Sequence, residues 1–167
     1  MLDFCIALQP HDTTAAERIR ELRRRTSGST TNHTDFYPLR DKPIILTVES
    51  KKPGEGLLEA QTQVGVWQAA QWRLLEMQHR GTQHSGESGT AGLPFLPALF
   101  IQGAQWSFAA TTRHGNETLL WTQQNIGATD TVLGIFQIIH TLRHLAQWST
   151  MIYWKWYKIA ILAINET

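Results

Sequence analysis

Cysteine is nearly absent: Cys5 is the single one in 167 residues, which excludes an internal disulfide framework and any cysteine-rich zinc site. A reducing compartment is the simpler reading. Long apolar runs are also missing. Residues 151–164 are the most apolar stretch of the tail, but they fall short of the roughly 20 residues of a membrane span and contain Lys155 and Lys158. No membrane partner is expected. The start of the chain has no basic flank and no long apolar core, and it carries an acid at Asp3, so it makes a poor secretory signal. The Asn-x-Thr sequons at Asn32, Asn116 and Asn165 therefore carry little weight, and an intracellular protein, nuclear or cytoplasmic, is expected. Surplus charge is lacking too: 15 Lys and Arg against 14 Asp and Glu leave a formal +1, which does not advertise a polyanion binder. The seven His are scattered. Only His140 and His144 stand at helical i, i+4 spacing, and with no Glu beside His140 the metalloprotease pattern fails. No nucleophile elbow and no glycine-rich phosphate cradle is present.

What the chain does have is enough length for one domain with a real core, residues 1–167, and an unusual seven Trp. Residues 2–8 read as a strand closed by Pro10. Residues 13–25 read as a short exposed helix capped by Thr13 or Thr14, and residues 27–41, rich in Ser, Thr, Gly, Asn and Pro, as a flexible surface loop. A second strand spans 44–49 and runs into Ser50 and Lys51. The spacing of Leu57, Ala60, Val64, Trp67, Ala70 or Gln71, Leu74 and Met77 predicts a helix over 57–77 with those residues on its buried stripe. Residues 78–94 read as a second flexible loop. Residues 98–111 and 118–123 read as two strands of a hairpin, and 130–148 as a long helix that the tail extends from Met151. The order predicts an α/β fold, a mixed sheet of about four strands flanked by helices.

Side chains alternate along a strand, so Glu49 and Lys51 share one side and Ser50 points away. With Asp3 from the first strand, two carboxylates and a lysine are available to converge on a hard metal ion and a water, which is what phosphodiester hydrolysis needs. A lysine there positions the water or helps to deprotonate it, and balances charge in the transition state. On spacing alone, a chance Glu-x-Lys on a solvated strand edge is the commoner explanation. The basic run from Arg18 to Arg25 reads first as a solvated helix face. Trp154, Trp156 and Tyr157, interleaved with Lys155 and Lys158, read first as core or partner-facing aromatics.

A longer pattern changes that balance. The run Val48-Glu49-Ser50-Lys51-Lys52-Pro53-Gly54 is followed by a Gln-rich helix carrying Gly65-Val66-Trp67-Gln68-Ala69-Ala70-Gln71-Trp72. This resembles the fungal branch of the PD-(D/E)XK nuclease-like proteins. Leu2-Asp3-Phe4-Cys5-Ile6 looks like the strand that supplies the first acid, and residues 134–139 through 153–158 look like the closing helix. The resemblance implies a restriction-endonuclease-like fold whose start is truncated, since Asp3 stands where a preceding helix and strand usually do. It also implies a Mg²⁺ (or Mn²⁺) dependent nuclease with Asp3 and Glu49 as metal ligands and Lys51 on the water. Gln63 with Trp67 resembles the family's Gln-x-x-x-Tyr, so Gln63 is the fourth site residue and Trp67 packs. Nucleic acid, DNA before RNA, is the implied partner, with Lys52, Lys155 and Lys158 as backbone contacts. Two other readings stay open: an inactive remnant of the fold that binds nucleic acid or a protein, and a fragment of a longer product. Oligomeric state is left open.

Overall fold

The computed structural model describes residues 3–81 and 92–164. Five strands form its sheet, in the order β1 (Phe4–Ala7), β2 (Ile44–Lys51), β3 (Leu96–Gln102), β4 (Gln105–His114) and β5 (Glu117–Ala128). Only β2 and β3 run parallel; the other neighbours are antiparallel. The long crossover between β2 and β3 holds the helix α2 (Leu57–Arg80), as a parallel pair requires. The expected mixed sheet between helices is thus the architecture. One strand was hidden, because residues 98–111 turn back at Gly103 and Ala104, with Gln102 opposite Gln105. Gly103 adopts φ 58°, the left-handed conformation such a tight turn needs, and a single 14-residue strand was already long against the usual 5–6.

Alternation divides the sheet into two faces. Leu46, Val48, Leu99 and Ile126 pack with Leu142 and Leu145 of the helix α3 (Val132–Trp148). On the other face Ala98, Phe100 and Ala109 pack with Ala60 and Val64 of α2. Glu49 and Thr47 alternate with Leu46 and Val48, so they face α2.

α2 is rotated relative to the stripe read from its apolar residues. Its buried positions are Ala60, Val64, Gln68, Gln71, Trp72, Leu75, Gln78 and His79, while Met77 is 69% exposed. Three glutamines in the core explain the difference, since an apolar count passes over them. Gln68 Nε2 donates to Pro97 O (2.8 Å) and Gln71 Nε2 to Ile44 O (2.8 Å). Both carbonyls lie where the parallel pairing of β2 with β3 has not yet begun at Thr47 and Ala98, so the helix satisfies acceptors that the sheet leaves open.

The helix α1 (Thr13–Arg25) is capped one residue earlier than expected, by Asp12, whose carboxylate accepts from Thr14 N (2.9 Å). Residues 27–41, read as a surface loop, instead contain two 3₁₀ turns and bury Thr30, Thr31 and Asn32. Asn32 donates to Lys42 O (3.0 Å) and accepts from Ile44 N (3.2 Å). Such side chains satisfy backbone locally, so polar composition did not mean solvation. Of the other expected loop, Gln78 and His79 belong to α2 and Leu93 is core; residues 82–91 lie outside those described.

α3 starts on Thr131, whose hydroxyl accepts from Gly134 N (3.1 Å), and crosses β5 where a Cβ on Gly134 would stand 2.3 Å from Ala128 O. It continues through a π turn, Ser149–Tyr153, into α4 (Trp154–Ala160), the extension expected of the tail. Tyr153, Trp156 and Tyr157 join Ile19, Trp72 and Leu96 in the largest core cluster. Among the described residues no helix is long and apolar enough to cross a membrane.

Candidate active site

The C-terminal end of β2 delivers Glu49 and Lys51 to the α2 face, as alternation requires. Glu49 is 1% exposed. Lys51 Nζ stands 2.8 Å from its Oε1, a close ion pair. From α2, Gln63 Oε1 accepts from Lys51 Nζ at 3.1 Å. Gln63 Nε2 in turn donates to Glu59 Oε1, also at 3.1 Å, and Glu59 lies 4.0 Å from Nζ. Strand alternation and one helical turn therefore join Glu49, Lys51 and Gln63 into one chain of contacts.

The loop between β2 and α2 is shaped around the lysine. Gly103 N donates to Lys51 O (3.2 Å), and Gln102 Nε2 holds Glu55 O (3.2 Å). Gly56 caps α2 at φ 68°, and a Cβ there would meet Lys51 Cδ at 3.2 Å. The bare glycine leaves room for the lysine stem and takes a backbone conformation other residues resist.

Asp3 is beside this group but differently engaged. Its main-chain N–H donates to Glu49 Oε2 (3.3 Å), whereas its carboxylate Oδ2 accepts from both Ser50 N (2.9 Å) and Ser50 Oγ (2.7 Å). Asp3 and Glu49 thus share a strand crossing, and the Asp3 carboxylate is held by the residue that alternation turns away. The Ser50 hydroxyl, then the Ser50 N–H, and the Lys51 charge hold the Asp3 carboxyl below its ordinary pKa. The bond to Glu49 first, and then the charges of Glu49, Glu59 and Asp3, raise Lys51 above its ordinary value against partial desolvation. Both groups are ionised near neutrality.

Two participants were not expected. Glu59 stands i, i+4 from Gln63, a spacing at which helical side chains meet, so it was open to sequence reasoning. Ser50 was seen only as pointing away; its grip on Asp3 depends on the register that sets Phe4 opposite Val48.

Lys52 is exposed at the end of the same strand. Lys155 and Lys158 are not in the site. They lie on α4, which packs with Trp72, Leu75 and Leu96, at the start of β3 and the far half of α2. Trp67, expected on the buried stripe, is not among the buried residues of α2 and stands edge-on to His33 with centroids 4.3 Å apart.

Hard oxygen donors suit Mg²⁺ or Mn²⁺. Glu49 Oε1 is buried against the Lys51 ammonium (2.8 Å), and Asp3 Oδ1 has no hydrogen bond among the described residues. No group of three or more His, Cys, Asp or Glu among the described residues is placed to hold an ion; the carboxylates near Lys51 are Asp3 and Glu49, with Glu59 from α2. Glu49, Lys51 two positions on along the same strand face, and Gln63 on the next helix make one chain of contacts, and a family model described as the PD-(D/E)XK nuclease superfamily matches residues 1–154. The chain belongs to this superfamily. No curated protein and no solved structure matches it. Membership agrees with the mixed sheet and its flanking helices, and it gives the Glu49-Ser50-Lys51 strand end its place in a family of nucleases.

Proposed function

We propose that the chain is a Mg²⁺ (or Mn²⁺) dependent phosphodiester hydrolase acting on nucleic acid, DNA before RNA, within the nucleus or cytoplasm, and that it falls in the fungal branch of its superfamily. The observation that carries this reading is the contact of Lys51 Nζ with both Glu49 Oε1 (2.8 Å) and Gln63 Oε1 (3.1 Å) in a chain of that family. Asp3 and Glu49 are the ligands, Asp3 through Oδ1 while Oδ2 keeps its Ser50 bonds. A divalent ion held there would supply Lewis-acid polarisation of a phosphoryl oxygen and a water made nucleophilic near neutral pH.

Lys51, an ammonium among carboxylates, orients the attacking water and opposes charge that develops on the phosphate. Gln63 fixes the ammonium and is itself fixed by Glu59. Lys52 contacts the backbone beside the site, while Lys155 and Lys158 offer a second, remote basic surface. Purified protein is expected to nick plasmid or single-stranded DNA with Mg²⁺ or Mn²⁺. Lys51→Ala should lower the rate by about 10²–10³, the loss expected on removing one transition-state donor. Equal rates in both proteins would remove the assignment.

One observation favours the alternative, an inactive remnant that binds nucleic acid or a protein: the Asp3 carboxylate is spent on Ser50 rather than turned to Glu49. Calorimetric titration separates the two. Saturable Mn²⁺ binding that Glu49→Gln abolishes supports the hydrolase, and no binding in the native chain supports the remnant.

A further inference from the structure

α3 is apolar on two sides. Gly134 and Ile138 are buried and Leu142 and Leu145 pack on the sheet, and a helix so placed normally shows solvent a polar face. The opposite side instead carries Val132 (74% exposed), Leu133 (70%), Phe136 (65%), Ile135 and Ile139. At 3.6 residues per turn Val132, Phe136, Ile139 and Arg143 fall within about 60° of one another, so the apolar residues form a stripe at the pole away from the core. Single exposed apolar side chains are ordinary. These five together present on the order of 500 Å² of apolar surface, the size of the largest patch on a typical monomer, which is often a functional one.

Charge selects the occupant. From Thr131 to Leu142 there is no Asp, Glu, Lys or Arg, so the stripe offers nothing to nucleic-acid phosphates or to an anionic lipid surface, both of which draw on basic residues. Charges stand at its two ends: Asp130, six residues before Phe136, and Arg143, seven after it. Both are exposed, and neither joins an ion pair among the described residues. The acidic end and the basic end each lie about 10 Å along the axis from Phe136. A second α3 laid antiparallel across the first, with the two-fold axis at Phe136, therefore matches each end with its opposite. The stripe is complementary to itself. Two copies would bury about 1,000 Å² of apolar surface between these side chains alone, which reaches the size of a specific interface before a polar rim is added.

We propose that this side of α3 is the interface of a symmetric dimer of the chain, in which Phe136 meets the partner's Phe136 and Arg143 pairs with the partner's Asp130. α2 and the Lys51 group lie on the other face of the sheet, so both candidate active sites stay open and pairing needs no metal. The dimer and the nuclease reading stand or fall separately.

Light scattering after size-exclusion chromatography measures the mass of the metal-free chain. Loaded at roughly 100 µM, above the micromolar dissociation constants of modest interfaces, the native chain is expected to show twice the 19.0 kDa of one copy. Phe136→Asp, at an exposed position, should raise the dissociation constant at least about thirtyfold, the value of a central hot spot. A cooperative melt checks that it folds. Asp130→Arg and Arg143→Asp each set like charges across the interface and should each weaken association by about tenfold or more. Mixing those two variants restores opposite charges at both ends, so the mixture should pair where neither does alone, which a misfolded variant would not do.

A native chain of single mass overturns the proposal, as does a dimer that Phe136→Asp leaves intact, or a mixture no tighter than its components. A monomer that floats with vesicles of phosphatidylcholine and phosphatidylserine, and loses this in Phe136→Asp, would assign the stripe to a lipid surface and overturn it too.

Discussion

The imidazole of His33 meets Trp67 edge-on at 4.3 Å between centroids, and neither ring nitrogen has a partner. Burial lowers its pKa from 6.5 to about 4. Below about pH 6.5 the unfolded chain takes up a proton that the folded chain refuses until about pH 4. Stability therefore falls across that interval as pH falls, and levels off below it. At about 1.4 kcal/mol for each pH unit, the loss at this one residue reaches at most roughly 3 kcal/mol. Urea unfolding at pH 7 and pH 4.5 measures it: His33→Phe should flatten the decline, and an undiminished slope in the variant would place its origin elsewhere. The same scale shows what could be read in advance. Glu49, Lys51 and Gln63 were legible because strand alternation and helical offset are rigid rules of geometry. The Asp3 carboxylate was not, because a rotamer choice between Ser50 and Glu49 has no sequence signature.

At the scale of elements, α2 is held to the sheet as much by amides as by apolar contact. Gln68, 1% exposed, donates to Pro97 O (2.8 Å) and Thr47 Oγ1 (3.3 Å) and accepts from Thr111 Oγ1 (2.7 Å). Thr111 Oγ1 is in turn the acceptor for Trp72 Nε1 (3.0 Å), so β2, β3, β4 and α2 meet at one amide. Gln68→Leu keeps the volume but strands the Pro97 carbonyl and the Thr111 hydroxyl in the core. At about 1–3 kcal/mol for each unsatisfied group, it should cost about 2–5 kcal/mol, read as a lower urea midpoint at constant slope. A cost below about 1 kcal/mol would mean that water replaces the amide. This network is also why α2 was placed correctly in sequence and wrongly in rotation. Its length and lack of proline marked a helix, but a core face built partly of glutamine carries a weak apolar signal. β3 and β4 illustrate the converse: apolar residues on both sides of Gly103 merged into a single run, and only the turn separates them.

For the molecule as a whole, the near-balance of charge conceals a local excess. Asp3, Glu49 and Glu59 all act on Lys51, so three carboxylates surround one ammonium at the end of β2, and Glu49 is withdrawn from solvent there. A divalent cation that binds this folded arrangement and not the unfolded chain adds its binding free energy to stability, about 2.7 kcal/mol at one hundred times its dissociation constant. For a chain of this size that corresponds to a rise in Tm of roughly 5–10 °C. Millimolar Mn²⁺ is expected to produce such a rise over sodium chloride of equal ionic strength, and Glu49→Gln, which keeps the shape of the side chain, should remove it. The comparison is between shifts rather than absolute Tm values, because the variant also alters the partner of Lys51. An equal shift in both proteins would assign the effect to scattered surface carboxylates. A shift in neither would mean that the Ser50 bonds hold Asp3 too firmly for the two acids to share an ion, leaving a nuclease fold without its metal.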